Sequence, residues 1–215
     1  MLQTHNLQYS YTNTLRFQFP DIQLNPQQQL LILGESGVGK TTLLYLLAGL
    51  LKPLSGEIIV SEQKFSQLSP SQLDHFRGQQ IGLIFQQPHF IQSLSILENL
   101  LMIQHVAGKK QDKQRAFQLL DALGIGEKSK NKAHQLSQGE QQRAGIALAT
   151  INRPKLILAD EPTASLDDNN CFKVLELLQQ QAAETQANLL VITHDTRIKS
   201  ALDQVLVLKK ETIQS

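Results

Sequence analysis

The sequence predicts an α/β protein with a parallel sheet at its core and a helical segment inserted within the sheet-forming parts of the chain. Short apolar runs of strand length lie before Phe85 and after Leu156, and several are apolar on both faces. Parallel strands show this pattern because helices cover both sides of their sheet. Between those two positions helix-start signals replace the apolar runs, which indicates the insertion.

Six apolar runs are strand candidates, each of a length typical of buried strands. They cover residues 30–33, 58–60, 81–85, 156–159, 189–192 and 205–208. Ser69, Ser95 and Ser137 each begin a Ser-x-x-Gln or Ser-x-x-Glu box, a pattern that predicts a capped helix N-terminus. A further helix is predicted between Lys109 and Gly124, with an apolar stripe formed by Ala116, Phe117, Leu119, Leu120 and Leu123.

Composition narrows the function classes. Twenty basic and nineteen acidic side chains leave a formal charge of +1, a balance that argues against a nucleic-acid-binding protein. One cysteine, Cys171, excludes an internal disulfide and suits a reducing compartment. The longest apolar run, 43–51, is far shorter than the roughly 20 residues that span a bilayer. We therefore expect a soluble, cytoplasmic, single-domain protein whose membrane role, if it has one, requires a partner.

A phosphate-binding loop follows the first strand candidate. Residues 34–41 match G-x-x-x-x-G-K-[ST] in full, with a predicted strand before and a helix after. In such a loop backbone N–H groups point at the phosphates of a nucleoside triphosphate, the lysine contacts the β- and γ-phosphates, and the threonine hydroxyl reaches Mg²⁺. The nucleotide-binding residues predicted here are Gly34, Glu35, Ser36, Gly37, Val38, Gly39, Lys40, Thr41 and Thr42.

Polar residues end three more strand candidates. Asp160 and Glu161 follow the run 156–159, where Asp160 can hold Mg²⁺ and Glu161 can polarise a water as a general base. Gln86 and His194 follow two other runs. Because open α/β sheets bind ligands at the carboxyl ends of their strands, these side chains are candidates for the same site.

The region 136–143, Leu-Ser-Gln-Gly-Glu-Gln-Gln-Arg, resembles the signature of ATP-binding-cassette (ABC) ATPases. Residues 156–167 resemble the family's Walker B strand and D-loop, Gln86 its Q-loop and His194 its H-loop, in the family's order. The resemblance implies a P-loop NTPase with a RecA-like parallel-sheet core and an N-terminal antiparallel β subdomain. The core and β subdomain would span about 1–86 and 154–215, and the helical subdomain about 87–153.

The resemblance also implies roles for single residues. The catalytic group would be Lys40, Gln86, Glu161 and His194, and the Mg²⁺ ligands Thr41, Gln86 and Asp160. Tyr11 would stack on the adenine of ATP, with Tyr9 as the competing candidate. In the family two cassettes close head to tail on two ATP molecules, so the residues acting across that interface would be Ser137, Gln138, Gly139, Glu140 and Asp167.

Two positions depart from the family pattern. Gln138 stands where the signature usually has a glycine, so we expect an ordinary α or β backbone there and regard Gly139 as the indispensable glycine. Leu148 replaces an arginine that commonly follows the signature, which removes a local ion pair. Every residue that hydrolysis needs is present.

The segment 158–163, with alanine before the aspartate, resembles the branch that contains the lipoprotein-release, macrolide-exporter and cell-division cassettes. The implied partners are a second copy of the chain, or a paralogous cassette, and integral membrane permease subunits. The permease subunits would hold the protein on the cytoplasmic face of the membrane by docking beside the loop 87–91. An alternative is a soluble regulatory module that ATP switches without any coupling to transport.

Relatives with other tasks fit less well. Chromosome-maintenance ATPases split the cassette with a long coiled coil, and no sustained heptads occur here. Translation-factor proteins carry two cassettes in each chain, whereas this sequence contains one set of cassette motifs. A GTPase would need a guanine-reading Asn-Lys-x-Asp element, which the sequence lacks at the appropriate place.

Overall fold

The computed structural model describes residues 1–12, 16–164 and 167–209, without the side chain of residue 169. Within these residues, ten strands form two five-stranded sheets. The strands are β1 Leu2–Ser10, β2 Arg16–Gln18, β3 Gln23–Leu24, β4 Gln29–Leu33, β5 Ser55–Val60, β6 Gln63–Lys64, β7 Ile81–Ile84, β8 Leu156–Asp160, β9 Asn188–Thr193 and β10 Gln204–Val207. The helices are α1 Lys40–Leu47, α2 Pro70–Gln80, α3 Ile96–Val106, α4 Lys113–Ala122, α5 Gln138–Thr150 and α6 Asp168–Thr185.

One sheet is wholly parallel, in the order β10-β4-β9-β8-β7, and it carries five of the six predicted strands. The other is antiparallel, in the order β2-β1-β5-β6 with β3 paired to β1. The carboxyl ends of β4, β7, β8 and β9 therefore meet along one edge. The predicted α/β core with an N-terminal antiparallel β subdomain is confirmed.

Alternate residues of the parallel strands enter two hydrophobic cores. Leu31, Leu189 and Val191 pack with α3 to α6 on one face, whereas Ile32 and Leu190 pack with α1 and the antiparallel sheet on the other. Burial on both sides explains why these strands are apolar without alternation. No helix among the described residues is both long and apolar enough to cross a membrane.

Helices α3, α4 and α5 follow one another between β7 and β8. Capping boxes begin α2, α3 and α5 at Ser69, Ser95 and Ser137, as the sequence predicts. Helix α4 lies between Lys109 and Gly124, as the sequence predicts, and Asp112 caps its start through a bond from the N–H of Arg115. Its predicted stripe was wrong at Phe117, which is 39% exposed because it lies on the outer side of the helix while Ala116 faces the core.

Candidate active site

The phosphate-binding loop connects β4 to α1. Gly37 and Gly39 have φ values of +83° and +99°, a left-handed conformation in which a side chain would be strained. A Cβ on Gly39 would also lie 2.7 Å from Cδ1 of Phe17. Val38 is buried and anchors the loop to the core. The glycines therefore serve both the turn and a close approach of the antiparallel sheet.

Lys40 is the first residue of α1 and is almost fully buried. Its Nζ donates to the carbonyls of Gly34 and Glu35, at 2.7 and 2.9 Å. The same ammonium lies 3.8 Å from Oε1 of Glu161. The loop thus holds a cation beside the carboxylate that follows β8.

Glu161 and His194 meet across neighbouring strands, because β8 pairs with β9. His194 Nδ1 lies 2.9 Å from Glu161 Oε1, and an ionised carboxylate can only accept, so Nδ1 carries the proton in that contact. Thr193 Oγ1 donates to Oε2 at 2.7 Å, and the His194 N–H donates to it at 3.3 Å. Both carboxylate oxygens are therefore oriented by fixed donors.

Two features of this cluster escaped the sequence analysis. Glu161 has a φ of +49°, an uncommon conformation for a residue with a side chain and one that concentrates at functional sites. Thr193 is fully buried, and its hydroxyl orients the carboxylate. A polar residue ending an otherwise apolar strand was the only available signal for Thr193.

Asp160 and Thr41 form the part of the site that suits a hard cation. Burial raises the pKa of Asp160, while a bond from the Thr41 hydroxyl opposes that shift. The Oδ1 atom of Asp160 is buried and makes no hydrogen bond within the described residues. Mg²⁺ takes oxygen ligands and commonly uses only one or two protein groups beside phosphates. A hydroxyl and a carboxylate with an unsatisfied oxygen fit that ion.

Gln86 lies two residues beyond β7 and is exposed. It lines a cavity of about 420 Å³ together with His194 and Arg197. The strand order places β7 beside β8, so Gln86 stands at the same sheet edge as Asp160. Gln86 and His194 thus share one cavity.

The aromatic residues near the loop belong to the antiparallel sheet and its continuation. Tyr11 is 52% exposed and contacts Tyr9 edge-on, with ring centroids 4.8 Å apart. Its hydroxyl lies 3.1 Å from Oγ1 of Thr42 in α1. Tyr9 is half-buried and packs against the core. Of the two tyrosines, Tyr11 presents more of its ring to solvent beside the loop.

The signature residues begin α5. Ser137 is its N-cap, and Glu140 completes the box by accepting from Ser137 N and Oγ at 2.7 and 2.9 Å. Gln138 is the first helical residue, in the ordinary backbone conformation that the sequence analysis expects. The fold does not itself require Gly139, because a Cβ there would meet only Arg143 Nη1, at 3.7 Å. Packing within one chain therefore does not explain a need for this glycine, and its expected indispensability stays a prediction about the assembled pair.

Asp167 is the N-cap of α6, accepting from the N–H of Asn170 at 3.0 Å. It lines a cavity of about 250 Å³ with Gln138 and Gly139, separate from the cavity of Gln86 and His194. Residues 165 and 166 of the predicted D-loop lie outside the described residues. The structure therefore forms two groups of site residues, one at the sheet edge and one between α5 and α6.

Known proteins resemble this chain both in sequence and in fold. The family model for ABC transporters matches residues 18–164, and the chain belongs to that family. It is an ATP-binding, ATP-hydrolysing subunit of an ABC transporter.

Relatives and solved structures agree with this assignment. The lipoprotein-releasing system ATP-binding protein LolD of Saccharophagus degradans is 38% identical over 187 residues, covering 86% of this chain and 82% of the relative. A Staphylococcus aureus protein named for hemin import, HrtA, is 43% identical over 180 residues, covering 82% and 80%. The dimeric bacterial ABC transporter cassette MJ0796 superposes over all of both chains, with a TM-score of 0.87 and 28% identity. A post-hydrolysis dimer of that cassette, bound to ADP and Pi, matches equally well.

Proposed function

We propose that Glu161 is the general base for ATP hydrolysis, and the observation that carries this proposal is the set of donors that orients its carboxylate. Thr193 and the His194 backbone hold Oε2, while the His194 ring holds Oε1. A carboxylate fixed in this way can accept a proton from a water that attacks the γ-phosphate. The strained backbone of Glu161 further restricts where that carboxylate points.

The remaining residues of the sheet edge bind and orient the nucleotide. The N–H groups of the loop and the Lys40 ammonium carry the positive charge that the β- and γ-phosphates need. Thr41 and Asp160 would hold Mg²⁺, with Gln86 as a further oxygen ligand. When bound, that ion neutralises negative charge on the phosphate oxygens. His194 would contact the γ-phosphate and orient the Glu161 carboxylate toward it.

Tyr11 is the residue that we expect to stack on adenine. Its exposed ring stands beside the phosphate loop, and the contact with Thr42 fixes it over the start of α1. An offset aromatic contact of this kind contributes about 1 kcal/mol. Tyr9 supports the Tyr11 ring from the side.

The signature would act on the nucleotide of a second cassette. The first turn of α5 offers backbone N–H groups and a positive helix end, which favour an anion. At Gly139 the backbone carries no side chain, and the one neighbour that a Cβ would meet is Arg143 Nη1 at 3.7 Å, so a phosphate could approach it closely. Asp167 borders the same cavity, as a residue that acts across an interface should. Head-to-tail dimerisation, with a second copy or a paralogous cassette, would complete both sites.

Integral membrane subunits would dock in a groove between α2, α3 and the loop after β7, and so hold the protein on the cytoplasmic face of the membrane. The groove has a volume of about 660 Å³, and its lining includes Phe85, Pro88 and Val106. Val106 is 76% exposed, and Ile91 in the adjoining loop is 47% exposed. Gly145 allows α5 to approach that loop, since a Cβ there would lie 2.9 Å from Pro88 Cγ. Apolar side chains beside a nucleotide-contacting loop suit a coupling surface.

Replacement of Glu161 tests the proposed chemistry. Glu161→Gln keeps the shape of the side chain but removes the base, so phosphate release should fall about 100-fold or more while ATP still binds. Gel filtration should show an ATP-stabilised dimer. Glu176→Gln, an exposed change on α6, is the matched control. Unchanged hydrolysis by the Glu161 variant would contradict the assigned base, and intact cellular function without hydrolysis would favour the ATP-switched module.

A charge introduced into the groove tests the docking surface. Val106→Glu should leave the ATPase activity of the isolated subunit intact. The variant should no longer co-purify with the membrane subunits. Loss of nucleotide binding in this variant would show that the groove belongs to the nucleotide site instead.

A further inference from the structure

Hydrogen bonds connect Glu161 to the loop after β9 through Thr193 and Asp195. Thr193 Oγ1 donates to Glu161 Oε2 and accepts from the Asp195 N–H, at 2.7 and 3.0 Å. The Asp195 carboxylate in turn accepts from Arg197, with Nε 2.9 Å from Oδ1 and Nη2 2.7 Å from Oδ2. Thr163, in the turn after Glu161, donates to Asp195 Oδ2 at 3.3 Å. The base and Arg197 therefore belong to one network.

Arg197 also reaches the start of α6. Its Nη1 lies 2.5 Å from Oδ1 of Asp168, the first residue of that helix. Asp167, immediately before, caps the helix. A single guanidinium therefore joins the His194 loop to the helix end that carries Asp167, although 29 residues separate Arg197 from Asp168.

The guanidinium suits this task better than an ammonium. Its planar fork binds the Asp195 carboxylate through two nitrogens and still directs a third at Asp168. A lysine has one nitrogen and cannot hold both carboxylates in fixed directions. Arg197 is 38% exposed, and ion pairs that accessible add little to stability. The arrangement therefore has more to do with position than with stability.

We propose that Arg197 is a positioning residue that keeps Asp167 and the Glu161–His194 pair in a fixed spatial relation. Within one protomer, the Glu161–His194 pair beside the γ-phosphate and Asp167, which would reach the other protomer, would then move as one unit. This inference rests on the proposed function, in which Asp167 acts across the dimer interface. Without the bridge, the state of one ATP site would no longer affect hydrolysis at the other.

Four variants test the bridge by separating its two arms. Arg197→Gln removes both arms, Asp168→Asn removes only the α6 arm, the double variant combines them, and Arg197→Lys keeps the charge without the fork. We expect Arg197→Gln and Asp168→Asn each to lower kcat about tenfold and to abolish cooperativity in ATP, with the half-saturating ATP concentration within about twofold of wild type. The double variant should be no worse than Arg197→Gln, because both remove the same link. Arg197→Lys should not restore cooperativity.

Asp21→Asn, a change to an exposed carboxylate in the antiparallel subdomain, is the control and should match wild type. The inference is overturned if the Asp168 and Arg197 effects multiply, or if kcat and ATP affinity fall together with the melting temperature. Glu161→Gln, measured alongside, separates this inference from the proposed function. If Glu161→Gln is inactive while Arg197→Gln remains fast and cooperative, only the positioning role fails; if Glu161→Gln stays active, the proposed chemistry itself fails.

Discussion

His194 Nδ1 lies 2.9 Å from Glu161 Oε1, although 33 residues separate the two in the chain. The contact exists because β8 and β9 are parallel neighbours, so that the residues following them meet at one sheet edge. Lys40 approaches the same carboxylate from the end of β4, which flanks β9 on its other side. Three separate parts of the chain thus meet at a single carboxyl group.

Thr193 gives the first prediction, because its hydroxyl orients that carboxyl group. Thr193→Val preserves the shape of the side chain but removes the donor to Glu161 Oε2 and the acceptor of the Asp195 N–H. We expect kcat for ATP hydrolysis to fall about tenfold, because the carboxylate of Glu161 is no longer held in one orientation. The half-saturating ATP concentration should change little, because the phosphate loop is unaltered. Thr193→Ser keeps the hydroxyl and should retain most activity. Equal losses in the two variants would show that packing, and not the hydroxyl, matters at this position.

The local parts of this site could be predicted from sequence. Residues 34–41 and the box at Ser137 are signals within a few consecutive residues, and the structure has both where they were expected. The link from Arg197 to Asp168 could not be predicted, because it depends on how the loop after β9 lies against the start of α6. The positive φ of Glu161 likewise arises from the turn that leaves the sheet edge. Contacts made by tertiary placement leave no spacing pattern in the chain.

Asp160 gives a prediction in which stability and function oppose each other. Burial raises the pKa of Asp160, so keeping its carboxylate ionised costs free energy in the folded protein. Asp160→Asn removes that cost, and the melting temperature of the nucleotide-free protein should rise by a few degrees. The same variant should need on the order of tenfold more Mg²⁺ for half-maximal ATPase, because a neutral amide is a weaker ligand. A lower melting temperature, or an unchanged Mg²⁺ requirement, would contradict the assignment.

Asp195 predicts an acid-dependent loss of stability. Its hydrogen bonds with Arg197 lower the pKa of Asp195 from 3.8 to about 2. A carboxyl whose pKa is depressed by folding contributes stability above its unfolded pKa and loses that contribution as the pH falls toward its folded pKa. The relevant window is therefore pH 4 to 2, and solvent screening limits the contribution to on the order of 1 kcal/mol.

Urea unfolding at a series of pH values measures this effect. The difference in the free energy of unfolding between wild type and Asp195→Asn should be largest at pH 6 and should narrow as the pH falls through 4. The difference in the free energy of unfolding between wild type and Arg197→Gln should also narrow as the pH falls through 4, because this variant removes the first cause of the pKa shift. Stability curves for wild type and Asp195→Asn that stay parallel down to pH 3 would show that Asp195 keeps its ordinary pKa.

Gly139 gives a prediction that separates the folding of one chain from the assembly of two. The residue lies in the first turn of α5 with a helical backbone, and a Cβ there would meet only Arg143 Nη1, at 3.7 Å. Alanine is a better helix former than glycine by up to about 1 kcal/mol. Gly139→Ala should therefore give an equal or higher melting temperature in the absence of nucleotide.

ATP-dependent behaviour should change in the opposite direction. If the backbone at Gly139 must approach the phosphate of a partner protomer, the added methyl group blocks that approach, and the variant should bind ATP yet fail to dimerise or hydrolyse it. Gel filtration of Gly139→Ala in a Glu161→Gln background, where ATP would otherwise trap the dimer, measures assembly directly. Glu176→Gln, an exposed change on α6 to which no role at the interface is assigned, is the control in the same background and should still dimerise. A Gly139→Ala protein that dimerises and turns over ATP normally would mean that the signature helix does not meet the nucleotide of a second cassette through this residue.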